Sequence, residues 1–227
     1  MEAYTILPLT PPDLDTMTHL VWLSKQSLTV NRLLYQNWPN EAAQRAQCRK
    51  AVENSMQCKD VQSWKVVHKE SGEMVGHVAM KFYGDAGQKD VGGGGEVPDG
   101  MHPGVYEMVV DSMTDLWEDW GGVRHLREYG SFLGLLELRA YIHVELTHIF
   151  ILREHRAHGL GKELVRLCVE AAKDRGLALT VGSEPQVHGF FGKMEFKDFK
   201  HSEWDLERWA DEFCGFGKFR VWGMAVE

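Results

Sequence analysis

The clearest pattern of apolar and polar positions runs from residue 140 to residue 176. Residues 140–152 are mostly apolar and rich in β-branched and aromatic side chains, which is typical of a buried strand. Residues 153–161 form a polar turn, after which apolar side chains recur at helical spacing, at Leu164, Leu167, Cys168, Ala171 and Ala172. Gly176 is suited to cap the C-terminus of that helix. The pattern therefore predicts a strand, a turn and a helix in immediate succession.

The remaining elements follow from the same periodicities and from their stop signals. Asp13 is suited to cap a helix, and Gly72 supplies the positive φ that a hairpin turn needs. The predicted elements are a strand at 4–9, helices at 13–27 and 40–56, hairpin strands at 63–68 and 74–82, a helix at 103–129, and strands at 177–181, 197–204 and 218–226. Residues 85–99, with four consecutive glycines, predict a flexible surface loop. This order of elements predicts an α/β fold.

The turn at residues 153–161 has the features of an anion site. The first N–H groups of the following helix have no partner inside the helix, and the helix dipole adds about half a positive charge there. Gly159 and Gly161 allow a phosphate to approach the backbone closely. Arg156 either adds a positive charge or fixes the turn.

The spacing of the turn excludes two common phosphate motifs. Glu163 stands where a GxxxxGK[ST] loop needs a hydroxyl, and Leu164 stands where the dinucleotide fingerprint needs its third glycine. The pattern that fits is [RQ]-x-x-G-x-[GA] directly after a strand, which Arg156-Ala-His-Gly159-Leu-Gly161 matches, with Ile149-x-Ile151 at the expected upstream offset. This segment resembles motif A of the GCN5-related N-acetyltransferase (GNAT) family, which cradles the pyrophosphate of acetyl-CoA.

The resemblance continues beyond the helix. Residues 191–196 are similar to the family's Y-x-K-x-G-F segment, with Phe191 in place of tyrosine and Glu195 in place of glycine. The helix predicted at 103–129 is similar to one that several fungal GNAT proteins carry before the central strand, which points to a fungal small-molecule subgroup. The specific motifs occupy residues 149–161 and 191–196, although the resemblance covers most of the chain.

The resemblance implies the fold and the co-substrate. It implies a single GNAT-like domain over residues 1–227, with a mixed, mostly antiparallel central sheet that is flanked by helices and splayed at the central strand. Acetyl-CoA would enter at the splay as the co-substrate. The residues implied to bind it are Thr147, Ile149, Phe150, Ile151, Arg156, Ala157, His158, Gly159, Leu160, Gly161, Lys162, Phe191 and Lys193.

The central strand carries the candidates for acid–base chemistry. Strict alternation places His143, Glu145, Thr147 and Ile149 on one face and Val144, Leu146, His148 and Phe150 on the other. An amine must lose a proton to attack a thioester, and His143 and Glu145 are the candidate catalytic bases. A histidine titrates near neutral pH without help, whereas Glu145 needs a pKa raised by burial. Either side chain can instead be a hydrogen-bonded core group.

The other two catalytic functions are implied by the family. Its oxyanion donor is a backbone N–H on this strand, near Thr147. Its proton donor to the thiolate is the motif tyrosine, which Phe191 replaces here. The thiolate then leaves unassisted, or another group donates, or this chain does not acetylate; Ser183 and His188 are weak substitutes.

The resemblance implies that two segments border the acceptor pocket, so their aromatic and apolar residues are candidates for lining it. Packing in the core is the alternative for each of them. They are Leu33, Leu34, Tyr35 and Trp38 in the first segment, and Trp204, Trp209, Phe213 and Trp222 in the second.

The composition of the 227-residue chain limits the kinds of partner and the cellular compartment that we expect. A formal net charge of −8 argues against a nucleic-acid partner and mildly favours a cationic or amine ligand. Four cysteines without a CxxC pair indicate reduced thiols in a cytoplasmic protein. The N-terminal residues do not resemble a signal peptide, and no apolar run approaches the ~20 residues that span a bilayer.

A metal site is not predicted. His143 and His148 are expected on opposite faces of their strand, while His155 and His158 lie in the anion turn, and the chain has no H-E-x-x-H spacing.

The function that the resemblance implies, and the favoured one, is acetyl transfer from acetyl-CoA to an amine of a small molecule, by direct attack in a ternary complex. The alternatives are a non-catalytic acyl-CoA-binding or interaction protein on the same fold, and an enzyme of this fold with other chemistry on a natural-product intermediate.

Overall fold

The computed structural model describes residues 2–84, 96–118, 141–212 and 214–227, and the strands among them form one seven-stranded sheet. The strands are β1 (Tyr4–Pro8), β2 (Val61–His68), β3 (Met74–Gly84), β4 (Tyr141–Ile151), β5 (Leu179–Ser183), β6 (Lys197–Asp205) and β7 (Lys218–Val226). Their order across the sheet is β1-β2-β3-β4-β5-β7-β6, and every neighbouring pair is antiparallel except β4 and β5. The predicted mixed, mostly antiparallel sheet is confirmed.

Helices cover both faces of this sheet. They are α1 (Leu14–Lys25), α2 (Asn31–Leu34), α3 (Glu41–Gln57), α4 (Pro103–Glu118), α5 (Leu160–Lys173) and α6 (Pro185–Lys193). Helix α5 buries the stripe that its periodicity predicts, including Leu164, Cys168 and Ala172. With α6 it packs on one face of the central strands, whereas α1 packs on the other face of those strands and α4 packs against β6 and β7.

Two apolar cores follow from this arrangement. The larger one joins α5 and α6 to the central strands and includes Val78, Met80 and Val144. The smaller one lies between α4 and strands β6 and β7, where Trp204 stacks on Phe219 at 5.3 Å between ring centroids. Burial at these positions removes about 25 cal/mol of unfavourable hydration free energy for each Å² of apolar surface.

The alternation of side chains between the two faces of β4 is interrupted at Thr147. Ala79 of β3 pairs with His148 and Met80 pairs with Leu146, so Thr147 is an extra residue with no partner in the β3 ladder. An extra residue of this kind is a β-bulge, and it reverses the alternation of side chains beyond it. His148 therefore shares a face with His143 and Glu145, and Ile149 lies on the opposite face with Leu146. The prediction from strict alternation is wrong from residue 148 onwards.

The predicted splay at the central strand is confirmed. Among the described residues, β4 and β5 pair only from Val144 to Leu146, although β4 continues to Ile151. In the part of the chain that the structure describes, the edge of β4 beyond Leu146 consequently faces a gap instead of a neighbouring strand.

Most predicted elements are confirmed, with shifts at their ends that have physical causes. The strand predicted at 177–181 lies at Leu179–Ser183, because the N–H of Leu177 donates to the carbonyl of Ala172 and closes the cap of α5 around Gly176 (φ 65°). Gly72 has the predicted positive φ, 72°.

Two predicted elements, the helix at 103–129 and the loop at 85–99, lie partly outside the described residues. The helix predicted at 103–129 is described from Pro103 to Glu118, and residues 119–129 lie outside the described part of the chain. Most of the glycine-rich loop, residues 85–95, also lies outside it.

Candidate functional site

The turn between β4 and α5 has the backbone geometry of an anion site. Gly159 is the N-cap of α5 with φ 79°, in the left-handed region that strains any residue with a Cβ atom. Ala157 also has positive φ, 63°. The N-terminal N–H groups of α5 point out of this turn and have no partners within the helix. The combination favours a phosphate at the start of α5.

Arg156 fixes the turn. Its Nε donates to the carbonyl oxygen of Ile151 at 2.9 Å, which ties the turn to the last residue of β4. The guanidinium lies 5.5 Å from the centroid of the Phe150 ring. Of the two roles that the sequence leaves open, the structure shows the fixing role directly.

A cavity of about 700 Å³ runs from this turn along the open edge of β4. Its other walls come from β5, α1 and α6, including Val181, Lys25 and Phe190. The cavity contains most of the residues predicted to bind the co-substrate, namely Thr147, Ile149, Phe150, Ile151, Arg156, Ala157, Gly159, Leu160, Gly161, Lys162 and Phe191. It is within the size range of small-molecule sites.

Two predicted cofactor residues do not line the cavity. His158 is exposed, and its Nδ1 lies 3.2 Å from the carbonyl oxygen of His155. Lys193 is exposed at the last residue of α6. His155 lines the cavity instead, with its Nδ1 held 3.0 Å from the hydroxyl of Tyr4. No local pattern predicts this contact, because the two residues lie 151 positions apart in the chain.

Phe191 is a buried wall residue of the cavity. Its side chain is 1% exposed and packs edge-on against Phe190 and Phe196, with 5.2 Å between ring centroids in each pair. A phenyl ring offers no proton, so this wall provides no donor to a leaving thiolate.

The two suggested substitutes for the missing tyrosine do not line the cavity. Ser183 is fully buried, with its hydroxyl 3.4 Å from the carbonyl oxygen of Glu184. His188 lies 2.9 Å from a carboxylate oxygen of Asp198 and stacks on Trp222. Neither side chain is therefore on the cavity wall, where a thiolate would be reached directly.

The candidate bases His143 and Glu145 form a cluster with Tyr83 on the face of β4 that also carries His148. The Tyr83 hydroxyl donates to Glu145 Oε2 at 3.0 Å, and the Tyr83 ring stacks on His143 with 4.6 Å between centroids. Burial raises the pKa of Glu145 to about 7, against which the Tyr83 hydrogen bond acts, and burial lowers the pKa of His143 to about 4. Neither residue lines the cavity; they occupy the next positions on this face beyond His148.

A second polar cluster, which the sequence did not predict, lies on the cavity wall. Ser24 Oγ is 3.0 Å from His148 Nε2, and His148 Nδ1 is 2.6 Å from His77 Nε2. Ser24 and His148 line the cavity, whereas His77 is fully buried. The bulge at Thr147 brings His148 to this side, and strict alternation hides it.

An ion pair crosses the cavity wall between α1 and α6. Lys25 Nζ lies 3.0 Å from Glu184 Oε1, and Gln186 donates to the other carboxylate oxygen at 2.9 Å. Among the described residues that line the cavity, Glu184 is the only one with a carboxylate. The pair therefore leaves the positive charges of the turn as the main electrostatic feature available to an anion.

The candidate acceptor residues mostly pack in cores. Leu33, Leu34 and Trp209 pack against the smaller core, of which Trp204 is a buried member, and Trp222 packs against the larger core. Tyr35 is buried, with 8% of its surface exposed. Trp38 is partly buried, and Phe213 lies outside the described residues. Core packing thus accounts for most of these side chains.

Within the described part of the chain, no three histidine, cysteine or acidic side chains are grouped so as to hold a metal ion. None of the described helices has the length and apolar character needed to cross a bilayer.

A family comparison matches part of the chain. Residues 123–204, which include β4, the anion turn and α5, match the model of the acetyltransferase (GNAT) domain. A comparison with curated proteins gives no match.

Solved structures resemble the whole chain in fold at low sequence identity. A putative arylalkylamine N-acetyltransferase 7 of the yellow fever mosquito has a TM-score of 0.66 at 10% identity, covering 98% of this chain and 86% of that one. NAA60 of Arabidopsis thaliana, solved with a bisubstrate analogue, has a TM-score of 0.53 at 12% identity over 98% and 97% of the two chains. NAA60 with acetyl-CoA has a TM-score of 0.50 at 10% identity over 98% and 97%.

Proposed function

The chain has the fold of the GNAT acetyltransferases and matches their domain model over residues 123–204, and from this we propose that it transfers the acetyl group of acetyl-CoA to an amine of a small molecule. The observation that carries the proposal is one continuous cavity, about 700 Å³ in volume, that joins the anion turn to the open edge of β4. A ligand with a phosphate at one end and an extended arm fits such a cavity, and acetyl-CoA has this form.

The phosphates of acetyl-CoA belong at the start of α5. Backbone N–H groups near Gly159 and Gly161 donate to the pyrophosphate, and Lys162 adds a charge from the cavity wall. The pantetheine arm then lies along β4 beyond Leu146, where the unpaired edge offers backbone groups that a neighbouring strand would otherwise occupy. This placement brings the thioester to the bulge at Thr147.

The reaction at the bulge is direct attack of the amine on the thioester carbonyl. A backbone N–H of the bulge supplies the donor for the developing oxyanion. Glu145 does not line the cavity, so as the favoured base it would take the proton of the amine through one bridging water. A carboxyl group with a pKa of about 7 is half ionised at neutral pH and is a stronger base than an ordinary carboxylate. His143, with its pKa lowered to about 4, is the weaker candidate.

The test is an assay of thiol release from acetyl-CoA against a panel of small amines, with identification of the products by mass spectrometry. The proposal predicts thiol release that depends on the amine and a product that carries one acetyl group. Thiol release that no amine stimulates, in a protein that binds acetyl-CoA, would contradict it.

A second function, non-catalytic binding of an acyl-CoA, is favoured by one observation. Phe191 is part of the packed core and cannot donate a proton, so the cavity can retain its affinity for the cofactor without assisting the departure of a thiolate. A thiol has a pKa of only ~8.5, however, so a thiolate is a tolerable leaving group without a donor. This is why transfer remains the main proposal.

The free cysteines are compatible with a reducing compartment, and we place the protein in the cytoplasm as part of the same proposal. Cys48 and Cys168 are buried, and all four cysteines are unpaired.

A further inference from the structure

Ser24, His148 and His77 are arranged as a nucleophile, a base and an orienting group. The hydroxyl oxygen of Ser24 lies within hydrogen-bond distance of His148 Nε2, and His77 Nε2 holds the other ring nitrogen of His148. The two imidazole planes are within 9° of each other. A hydroxyl next to an imidazole whose second nitrogen is fixed by a third group is the arrangement that activates serine nucleophiles.

The proton positions in this cluster admit two states. Ser24 Oγ lies 2.6 Å from the carbonyl oxygen of Val21, and a hydroxyl has only one proton to donate. When Ser24 donates to Val21, Nε2 of His148 carries a proton and donates to Ser24, and His77 Nε2 donates to His148 Nδ1. When Ser24 donates to His148 Nε2, His148 donates from Nδ1 to His77 Nε2. The second state is the one that can lose the serine proton to an imidazole.

Burial favours a neutral imidazole in the cluster. The pKa of His148 is held well below its usual value by burial and by the neighbouring His77 and Lys25. His77 is fully buried, and its Nδ1 is without a partner among the described residues. A neutral ring at neutral pH is the form that accepts a proton, and the lowered pKa also makes His148 a weaker base than a free imidazole, so the geometry of the cluster carries the assignment.

The cluster lies where the proposed function puts the thioester. Ser24 and His148 line the cavity, and His148 directly follows the bulge residue Thr147. We propose that Ser24 is a second nucleophile of this cavity, which takes the acyl group of an acyl-CoA as an ester and gives the protein an amine-independent thioesterase activity. This inference rests on the proposed binding of acetyl-CoA.

The atoms balance without any further reagent except water. Ser24 Oγ bonds to the thioester carbon while its proton moves to His148 Nε2. The carbon–sulfur bond then breaks, and the same proton moves to sulfur, which leaves acetyl-Ser24 and free CoA. Water attacks the ester and gives a proton to His148, and that proton returns to Ser24 as acetate leaves. His148 thereby supplies the sulfur with the proton that Phe191 cannot.

The experiment mixes the full chain with acetyl-CoA in the absence of amine. The reaction is followed on a fast time scale by the loss of thioester absorbance. No thiol reagent is used, because the exposed Cys214 would react with it. Quenched samples are analysed by intact mass and peptide mapping, and acetyl-CoA affinity is measured by calorimetry. We expect a burst of thioester loss equal to the protein concentration and an acetyl ester on Ser24, or steady thioester loss that requires Ser24.

Variants separate the chemistry from folding. Ser24→Ala should eliminate the adduct and the thioester loss and change the acetyl-CoA affinity by less than about 3-fold, because a small change on a partly buried wall affects binding little. Ser24→Cys keeps a nucleophile and should form an acetyl adduct at the same position. His77 is a positioning residue: His77→Phe should slow acylation, and His77→Gln, whose amide oxygen can accept from His148 Nδ1, should restore it.

The outcomes distinguish this inference from the proposed function. Binding of acetyl-CoA with neither an adduct nor Ser24-dependent thioester loss would overturn the inference and leave amine acetylation standing. An acetyl group found only on Lys25 or Ser27, which also line the cavity, would overturn it as well. Failure to bind acetyl-CoA would remove both.

Discussion

The two ends of the cavity differ in what builds them. At the anion turn, the proposed ligand contacts are backbone groups held by glycine conformations and by Arg156 within one short segment. At the bulge, the groups proposed to react are the side chains of residues such as Ser24, His77 and His148, which come from three separate parts of the chain. On this proposal, binding of acetyl-CoA depends on local backbone geometry, whereas the chemistry depends on tertiary packing.

The largest expected effect is at the turn. Gly159→Val places a β-branched residue at φ 79°, which displaces the N–H groups that would hold the pyrophosphate. Loss of two charge-assisted hydrogen bonds corresponds to ~4 kcal/mol, so the Kd for acetyl-CoA should rise about 1000-fold in calorimetry.

Gly72 provides the matched control for that variant. It has φ 72° in the β2–β3 hairpin, and a Cβ atom at either glycine meets no neighbour within 4 Å. Gly72→Val should therefore lower the free energy of unfolding by a similar ~1–2 kcal/mol and leave the Kd unchanged. Equal losses of affinity in the two variants would show that the turn has no special role.

The second largest effect is expected on kcat, at the end of the cavity next to the bulge at Thr147. Glu145→Gln keeps the shape of the side chain and its contact with Tyr83 but removes the base, so kcat for amine acetylation should fall about 100-fold with the Kd for acetyl-CoA unchanged. His143→Gln is the comparison variant. If His143→Gln loses the activity and Glu145→Gln keeps it, the assignment of the base is reversed.

The pH dependence sharpens the same assignment. With Glu145 as base, kcat/KM should rise with pH up to about 7 and then level, because the carboxylate form is the active one. A profile that is already level from about pH 4 would instead report His143.

As the pH rises towards 7, the free energy of unfolding should fall while the activity rises. Burial raises the pKa of Glu145 in the folded protein above the ordinary value of 4.5 for a glutamate, so the folded state binds the proton more tightly. Its contribution to stability is complete below pH 4.5 and is lost as the pH rises through about 7. The free energy of unfolding of the wild type, measured against Glu145→Gln, should decline over this range, and an increase would contradict the raised pKa.

A smaller effect is expected from Arg156. Arg156→Met removes the hydrogen bond to Ile151 and retains much of the apolar stem, and the loss of ~1.4 kcal/mol should weaken acetyl-CoA binding about 10-fold. Arg153→Met, in the same turn but outside the cavity lining, is the charge-matched control. An identical loss in both would mean that only net charge matters.

The smallest effect is expected at Phe191. Phe191→Tyr offers the cavity a proton donor for the thiolate, and kcat should rise by no more than about 10-fold, since the thiolate leaves readily without help. The added hydroxyl should lower the free energy of unfolding by ~1–3 kcal/mol wherever it is left unpaired. A large gain in kcat would show that thiolate departure limits the reaction.

Sequence patterns predicted the parts of the molecule that depend on local order. Periodicity and glycine positions are local signals. They therefore predicted the strand, turn and helix over residues 140–176, which include the anion turn, and the hairpin around Gly72. The mixed sheet and its splay came from the family resemblance. The proposed fungal subgroup, the extent of the domain and the catalytic roles of His143 and Glu145 stay predictions.

The cluster of Ser24, His148 and His77 at the bulge could not be predicted from the sequence, and the reason is physical. One extra residue in β4 reverses the faces of all residues beyond Thr147, and alternation alone cannot reveal a bulge. The partners of His148 are contributed by α1 and β3, 124 and 71 residues away. His158 and Lys193 do not line the cavity, because a match to a motif fixes a position in the sequence and not the direction of a side chain. Their contact with the cofactor stays a prediction.

Calorimetric titration of the full chain with acetyl-CoA tests the central claim most directly. The account predicts saturable binding at one site per chain, with an affinity that Gly159→Val removes and Gly72→Val preserves. Absence of binding, or binding that is insensitive to Gly159→Val, would contradict the assignment of the cavity between β4 and β5 to acetyl-CoA.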